Sequence, residues 1–301
     1  MKVLCFGSLN IDYTYRVPHF VQKGETLSSE SLEVFSGGKG LNQSVALAKA
    51  GVDTYHAGVI GEDGMFLVKV LQEAGVHTEL IKIRSDVRTG NAIIQNDHEG
   101  DNCILLYGGA NQAVTEKQVD ETIEKFEKGD FLLIQNEINE LSYIVQKAHE
   151  KQMKIVLNPS PMNEKILNLP LEYIDYFVLN EIETAQILGE ELKQEYDGEE
   201  LAQKLKNRFS TAAVLMTMGA EGSVYIDNEQ TVTQEAFRVK AVDTTAAGDT
   251  FTGYFLSGLT RGIAVKNAME EASKASAIAV TRKGAAPSIP VREEVEKFSE
   301  K

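Results

Sequence analysis

The sequence predicts an α/β protein: a doubly wound, mostly parallel sheet with helices on both faces, joined by a smaller β-sheet. Three observations lead there. Short apolar runs of strand length alternate with segments of helical period through most of the chain, and such strands are buried only when helices cover both faces. Glycines and polar side chains gather where the apolar runs end, as in "GSLNID" (7–12) and "TMGAEG" (217–222); open α/β sheets collect ligands at that edge. The alternation breaks in 13–36 and 89–109, where extended segments follow without helices between them and form a small sheet outside the main one.

The elements follow in order. "KVLCFG" (2–7) is an apolar run closed by glycine and followed by Ser8, Asn10 and Asp12, a buried strand that ends at polar side chains. "GGKGLNQSVALAKAG" (37–51) turns helical, with Leu41, Val45 and Ala48 on one face and Gly51 as its C-cap. Strand "TYHAGVIG" and helix "FLVKVLQEAG" come next. "TGNAIIQ" and "NCILLYG" flank the polar turn "NDHEGD", which is an antiparallel hairpin. From 110 the alternation resumes with a helix near 115–128, strand "DFLLIQN", a helix at 140–151, strands "KIVLNPS" and "YFVLN", helices at 181–188 and 198–209, and strand "AAVLMTMG". The acidic stretch 189–209 is a solvated helix surface. Beyond Gly248, residues Phe251, Tyr254, Phe255 and Leu259 recur at helical spacing, so a helix begins near Ala246 to Asp249.

Composition narrows the function. With 301 residues, 43% of them hydrophobic, the chain can bury a large core in one large domain or two smaller ones. Its formal charge of −15, from 30 basic and 45 acidic residues, repels polyanions and excludes a nucleic-acid partner. Any phosphate site must therefore be local and made mainly of backbone N–H groups. Cys5 and Cys103 lie in apolar runs without Cys-x-x-Cys spacing and are expected to be buried core thiols. The start of the chain is too weakly apolar for a signal peptide and no run approaches the ~18 residues of a membrane span. A cytoplasmic protein without a membrane partner is the expectation.

The chemistry concentrates in "VDTTAAGDTFTG" (242–253). A helix starting there leaves its first N–H groups free, and the small residues Ala246, Ala247 and Gly248 let an anion reach them. Asp249 is the odd member, because a helix start favours anions already; on this segment alone it serves equally as an acid complementing its own helix. "FSGGKGLNQS" (35–44) is a second glycine-rich turn into a helix, but it has neither P-loop nor dinucleotide spacing. Its Lys39 and Asn42, beside closely approachable backbone, suit sugar hydroxyls better than a pyrophosphate, although a tight turn with packing glycines also explains the pattern. "NEIE" (180–183) and "TMGAEG" end other strands on the same edge. No His-Glu-x-x-His and no Gly-x-Ser-x-Gly occurs, which sets aside zinc and hydrolase chemistry.

These segments, with "AVDTTAAGDTFTG" (241–253) and "IAVTRKGAAPSIP" (278–290), stand in the order and approximate spacing of the ribokinase-like (PfkB) sugar kinases. The chain resembles that family over nearly its whole length, and "GGKGLNQ" with "TRKGAAPS" makes it most similar to the ribokinase branch. The resemblance implies a large nucleotide- and sugar-binding domain (1–12, 37–88 and 110–301) and a β-sheet lid (13–36 and 89–109). It implies ATP-dependent phosphorylation of the primary 5-hydroxyl of D-ribose to ribose 5-phosphate, with Asp249 as general base. Asn10, Asp12, Gly38, Lys39, Asn42 and Glu137 would hold the sugar. Asn180, Ser273 and the turn Thr217, Met218, Gly219, Ala220, Glu221 and Gly222 would hold the nucleotide, with Glu183 organising Mg²⁺. The amides of Ala246, Ala247, Gly248 and Asp249 would form the anion hole. K⁺ would take Asp243, carbonyls of Thr245, Ala279, Arg282 and Gly284, and Ser288. A homodimer through the lid is also implied. Ser273 departs from the family's His or Asn and Thr245 from its Ile, the first putting adenine contacts in question. Other readings are a kinase for another small sugar or a nucleoside, such as fructose, deoxyribose or adenosine, and a sugar-sensing protein without catalysis, against which the retained Asp249 argues.

Overall fold

The computed structural model describes residues 1–99, 101–191 and 194–299. Leu192 and Lys193, inside the predicted acidic surface, and Gly100, inside the predicted hairpin turn, lie outside the described residues. The chain begins with β1 (Val3–Phe6), β2 (Asn10–Arg16), β3 (Ser31–Gly37), α1 (Lys39–Lys49), β4 (Thr54–Gly61), α2 (Met65–Glu73) and β5 (His77–Arg84). It continues through β6 (Gly90–Asn96), β7 (Asn102–Tyr107), α3 (Glu116–Ile123), β8 (Phe131–Gln135), α4 (Leu141–Glu150), β9 (Lys154–Asn158) and α5 (Glu164–Leu167). Then come β10 (Tyr176–Asn180), α6 (Glu181–Leu188), α7 (Gly198–Arg208), β11 (Ala213–Thr217), β12 (Ser223–Ile226) and β13 (Thr231–Gln234). The helices α8 (Ala247–Thr260), α9 (Val265–Val280) and α10 (Arg292–Glu296) close the fold.

A nine-stranded sheet runs in the order β13-β12-β11-β10-β9-β8-β1-β4-β5. It is parallel from β11 to β5, and β12 and β13 add an antiparallel edge. Alternation in the central strands divides the core between its two faces. Leu4 and Phe6 of β1 enter one apolar cluster with Leu132 and Ile134 of β8, while Val3 and Cys5 enter the other with Phe131 and Leu133. Helices bury both faces, as the unbroken apolar strands require. No helix among the described residues is long and apolar enough to cross a membrane.

The small sheet has the order β3-β2-β6-β7. Its boundaries differ from expectation: β2 pairs along its full length from Asn10 with both β3 and β6. Asn10, Asp12 and Gly37 thus belong to the small sheet rather than to the larger unit. Cys103 is a second correction. Cys5 is buried, but Cys103 is exposed on β7, an edge strand exposed at every position. An apolar run marks a buried strand only when something covers it. The helix expected over 115–128 stops at Ile123 in hydrogen-bonded turns.

Candidate active site

Close backbone contact at the end of β1 builds the site. A Cβ on Gly7 would lie 2.7 Å from the Gly40 Cα, and one on Gly40 would lie 2.4 Å from the Ser8 nitrogen. The end of β1 and the start of α1 therefore touch backbone to backbone. Gly38, at φ 94°, turns the chain into α1. Helix α8 packs on α1 through Gly253, where a Cβ would meet that of Ala46 at 2.4 Å. Lys39, Asn42 and Gln43 of α1 are thereby brought to the first turn of α8.

Asp249 stands in that turn and is 7% exposed. The Asn42 side-chain amide donates to its Oδ2 at 3.1 Å and the Gln43 amide to its Oδ1 at 2.8 Å, so each buried oxygen has a donor. Ala246 caps the helix in the left-handed region, at φ 59°, a conformation that costs a non-glycine residue on the order of 1 kcal/mol. Nothing lies within 4 Å of where a Cβ on Gly248 would stand, so the space over the helix start is open. Of the four amides expected to face an anion, that of Ala247 donates to the Thr244 carbonyl at 3.2 Å. The N–H groups of Gly248 and Asp249 have no acceptor among the described residues; they remain at the positive end of the helix dipole.

A cavity of ≈ 210 Å³ joins Ala246, Ala247, Gly248 and Asp249 to Lys39, Asn180, Glu183 and Thr217. Asn180 and Glu183 form a reciprocal capping box at the start of α6: the Asn180 oxygen accepts from the Glu183 N–H at 2.8 Å, and Glu183 Oε2 accepts from the Asn180 N–H at 3.1 Å. Burial opposes the Lys39 charge, but Asp249, Glu137 and Glu183 outweigh it and raise its pKa. Three carboxylates thus favour the charge on one ammonium.

A neighbouring cavity of ≈ 150 Å³ lies beside the small sheet and includes Asn10, Asn111, Glu137 and Leu106. Asn10 is oriented by Asn111, whose Nδ2 donates to its Oδ1 at 2.7 Å, while Asn111 Oδ1 accepts from the Leu9 N–H at 3.0 Å. Glu137 accepts from the Ser8 hydroxyl and from the Lys39 backbone N–H at 2.9 Å. Asp12 has its pKa pushed up to about 7 by burial, reinforced by the Glu137 charge.

The family model for the pfkB family carbohydrate kinase matches residues 1–292. The chain belongs to that family. A ribokinase of Staphylococcus aureus (strain COL) is 35% identical over 302 residues, covering 98% of each chain. Among solved structures, Cryptococcus neoformans var. grubii ribokinase in complex with ADP matches at TM-score 0.83 and 31% identity, covering 98% of this chain and 99% of that one. Arabidopsis thaliana ribokinase complexed with ribose and ATP matches at 0.86 and 27%, covering 99% of each. The protein is an ATP-dependent carbohydrate kinase.

The remaining residues expected at the kinase site are distributed around this centre. Asp243 bridges two segments, Oδ1 accepting from the Thr245 N–H and Oδ2 from the Gly284 N–H, each at 2.9 Å. Burial works against its charge, yet these hydrogen bonds and Lys283 hold its pKa below the usual carboxylate value. The Ala279 carbonyl accepts from the Arg282 N–H at 3.0 Å, the Arg282 guanidinium pairs with Glu294, and buried Ser288 donates to the Ala285 carbonyl at 2.7 Å. Met218 closes the 217–222 turn by donating to the Gly222 carbonyl at 2.8 Å. This turn past Thr217, and Ser273 on α9, stand outside the lining of the ≈ 210 Å³ cavity; the Ser273 hydroxyl donates to the Glu235 carbonyl at 3.4 Å.

Sequence reasoning missed Gln43, Gln135, Asn158 and Asn111. The one signal available was position: Gln135 and Asn158 each end an apolar strand, and Gln43 follows Asn42 in a glycine-rich turn.

Proposed function

We propose that this kinase transfers the γ-phosphoryl group of ATP to the 5-hydroxyl of D-ribose. The observation that carries the reading is the buried Asp249 carboxylate at an open helix start, sharing one cavity with Lys39 and Glu183. Ribose rather than another acceptor is favoured by near-full-length similarity to ribokinases.

The sugar lies between the two sheets, held by Asn10, Asp12, Gly38, Lys39, Asn42 and Glu137. Its hydroxyl oxygen attacks the γ-phosphorus, its proton passes to Asp249, and the bond to the bridging oxygen breaks to release ADP. The amides of Gly248 and Asp249, with Ala246 beside them, receive the charge on the transferring group, and Lys39 offsets it. Nucleotide contacts come from Asn180, Thr217 and the turn to Gly222, with Ser273 near the base. The small sheet acts as a lid that keeps water from the phosphoryl group.

Glu183 fits a role towards Mg²⁺, since only its Oε2 is used in the capping box and Mg²⁺ takes few protein carboxylates when phosphates and water complete its shell. Bound there, the ion would neutralise phosphate charge. The Asp243 carboxylate, with carbonyls of Thr245, Ala279, Arg282 and Gly284 and the Ser288 hydroxyl, is a hard-oxygen donor set suited to K⁺. The exposed apolar face of the small sheet supports pairing of two lids in a homodimer.

An ADP-release assay over ribose, deoxyribose, fructose and adenosine tests the acceptor, with ribose expected to give the highest kcat/KM. Asp249→Asn should keep fold and ribose affinity while losing roughly 10² to 10⁴ in kcat. Near-parental turnover in that variant would remove Asp249 from the mechanism.

A further inference from the structure

We infer that Gln43 is the positioning residue for Asp249, holding the carboxylate through a side-chain amide chain whose direction is set by the backbone of β10. The inference rests on Asp249 being the base.

The chain starts at the Val178 carbonyl, which can only accept. It takes a hydrogen bond from Asn158 Nδ2 at 2.8 Å, so Asn158 must present Oδ1 to its next neighbour. That neighbour is Gln43, whose Nε2 donates at 3.0 Å. An NH₂ group carries two hydrogens, and the same nitrogen donates to Asp249 Oδ1 at 2.8 Å. Gln43 Oε1 is then left as an acceptor and receives Gln135 Nε2 at 2.6 Å. Turning any one amide over would set oxygen against oxygen or nitrogen against nitrogen, so the orientation of Gln43 is fixed at both ends.

The supports come from neighbouring strand ends. Gln135 and Asn158 are register partners on β8 and β9, and Val178 lies on β10. Gln43 and Gln135 are both fully buried, and Gln135 Oε1 has no hydrogen-bond partner among the described residues. A structural core would use apolar side chains here and avoid an orphaned oxygen. The arrangement makes sense if a donor must stand at Asp249 Oδ1 in one place only. The rim of the sheet thereby aims the carboxylate, although none of these three amides was singled out by motif.

Gln43→Met keeps length and removes the donor. The expected result is a folded protein whose ribose Kd by calorimetry stays within about twofold of the parent while kcat falls about 10- to 100-fold, as for misplacement of a reacting group. Adding Gln43→Met to Asp249→Asn should cost no further turnover, because a residue acting through Asp249 has nothing left to position. A parental kcat, a loss confined to ribose affinity, or a full additional loss in the double variant would each overturn the inference. If Gln43→Met does not fold, Gln135→Met is read by the same measurements and criteria. An active Asp249→Asn would instead defeat the base assignment itself, whatever Gln43 does.

Discussion

Single side chains at this site are set by neighbours that motifs do not display. Asp12 is an example. Its unfolded value of 3.8 rises to about 7 in the folded chain, so between these values the folded state binds more protons than the unfolded one. Stability contributed by this group therefore falls as pH rises from about 4 to about 7, and the deficit is constant above. Asp12→Asn should gain stability over the parent between pH 5 and pH 8, on the order of 1–2 kcal/mol because solvent reaches part of the carboxyl. Urea unfolding at the two pH values measures it, and an identical difference at both would refute it. In sequence, Lys39, Asn42 and Asp249, which the structure brings together, were readable because each stands in or beside a glycine-containing turn into a helix; Asp12, within β2, lines neither cavity. Gln43, Gln135 and Asn158 were not readable, since a buried amide announces itself only by what it bonds to.

At the scale of elements, uniform apolar strands and clear helical periods were readable, whereas the short antiparallel pair β12–β13 and the alanine- and serine-rich α9 were not. Four-residue strands with mixed patterns carry too little periodicity, and α9 is defined by packing on α8 rather than by its own stripe. The connection into α8 makes the most consequential prediction of this kind. Asp243 ties the segment before α8 to the turn at Gly284, and Val242 and Asp243 both donate to the Val280 carbonyl, at 2.7 and 3.2 Å. A cation held there, as proposed above, would steady the left-handed Ala246 and the amides that follow it. Activity should accordingly rise several-fold when K⁺ replaces tetramethylammonium at equal ionic strength, a modest change in the positioning of those amides being worth that much. Indifference to the cation in a steady-state assay would exclude the site.

For the whole molecule, the small sheet bears on assembly. On the small sheet, Val34, Tyr13, Ile93 and Leu105 are cross-strand neighbours on one face, while Asp12 belongs to the opposite one. Val34, Ile93 and Leu105 are 50%, 38% and 67% exposed, a contiguous apolar patch on an open-edged sheet of the kind proteins cover. Sedimentation should find a dimer at micromolar concentration and a monomer for Leu105→Arg; a monomeric parent would refute lid pairing. The doubly wound sheet itself was plain from alternating runs, but the extent of the small sheet was not, because β2 follows β1 after only three residues and nothing in the residue types from Asn10 on shows that the chain has changed sheets.

The contact between Gly7 and Gly40 has a genetic consequence. Most packed pairs can trade volume, a larger side chain on one partner being offset by a smaller one on the other. Here each added methyl would strike main-chain atoms at 2.4 to 2.7 Å, and main chain cannot be trimmed by a second mutation. Neither position has a compensating partner, so lineages carrying this site can vary around the two glycines but have no stepwise route through them.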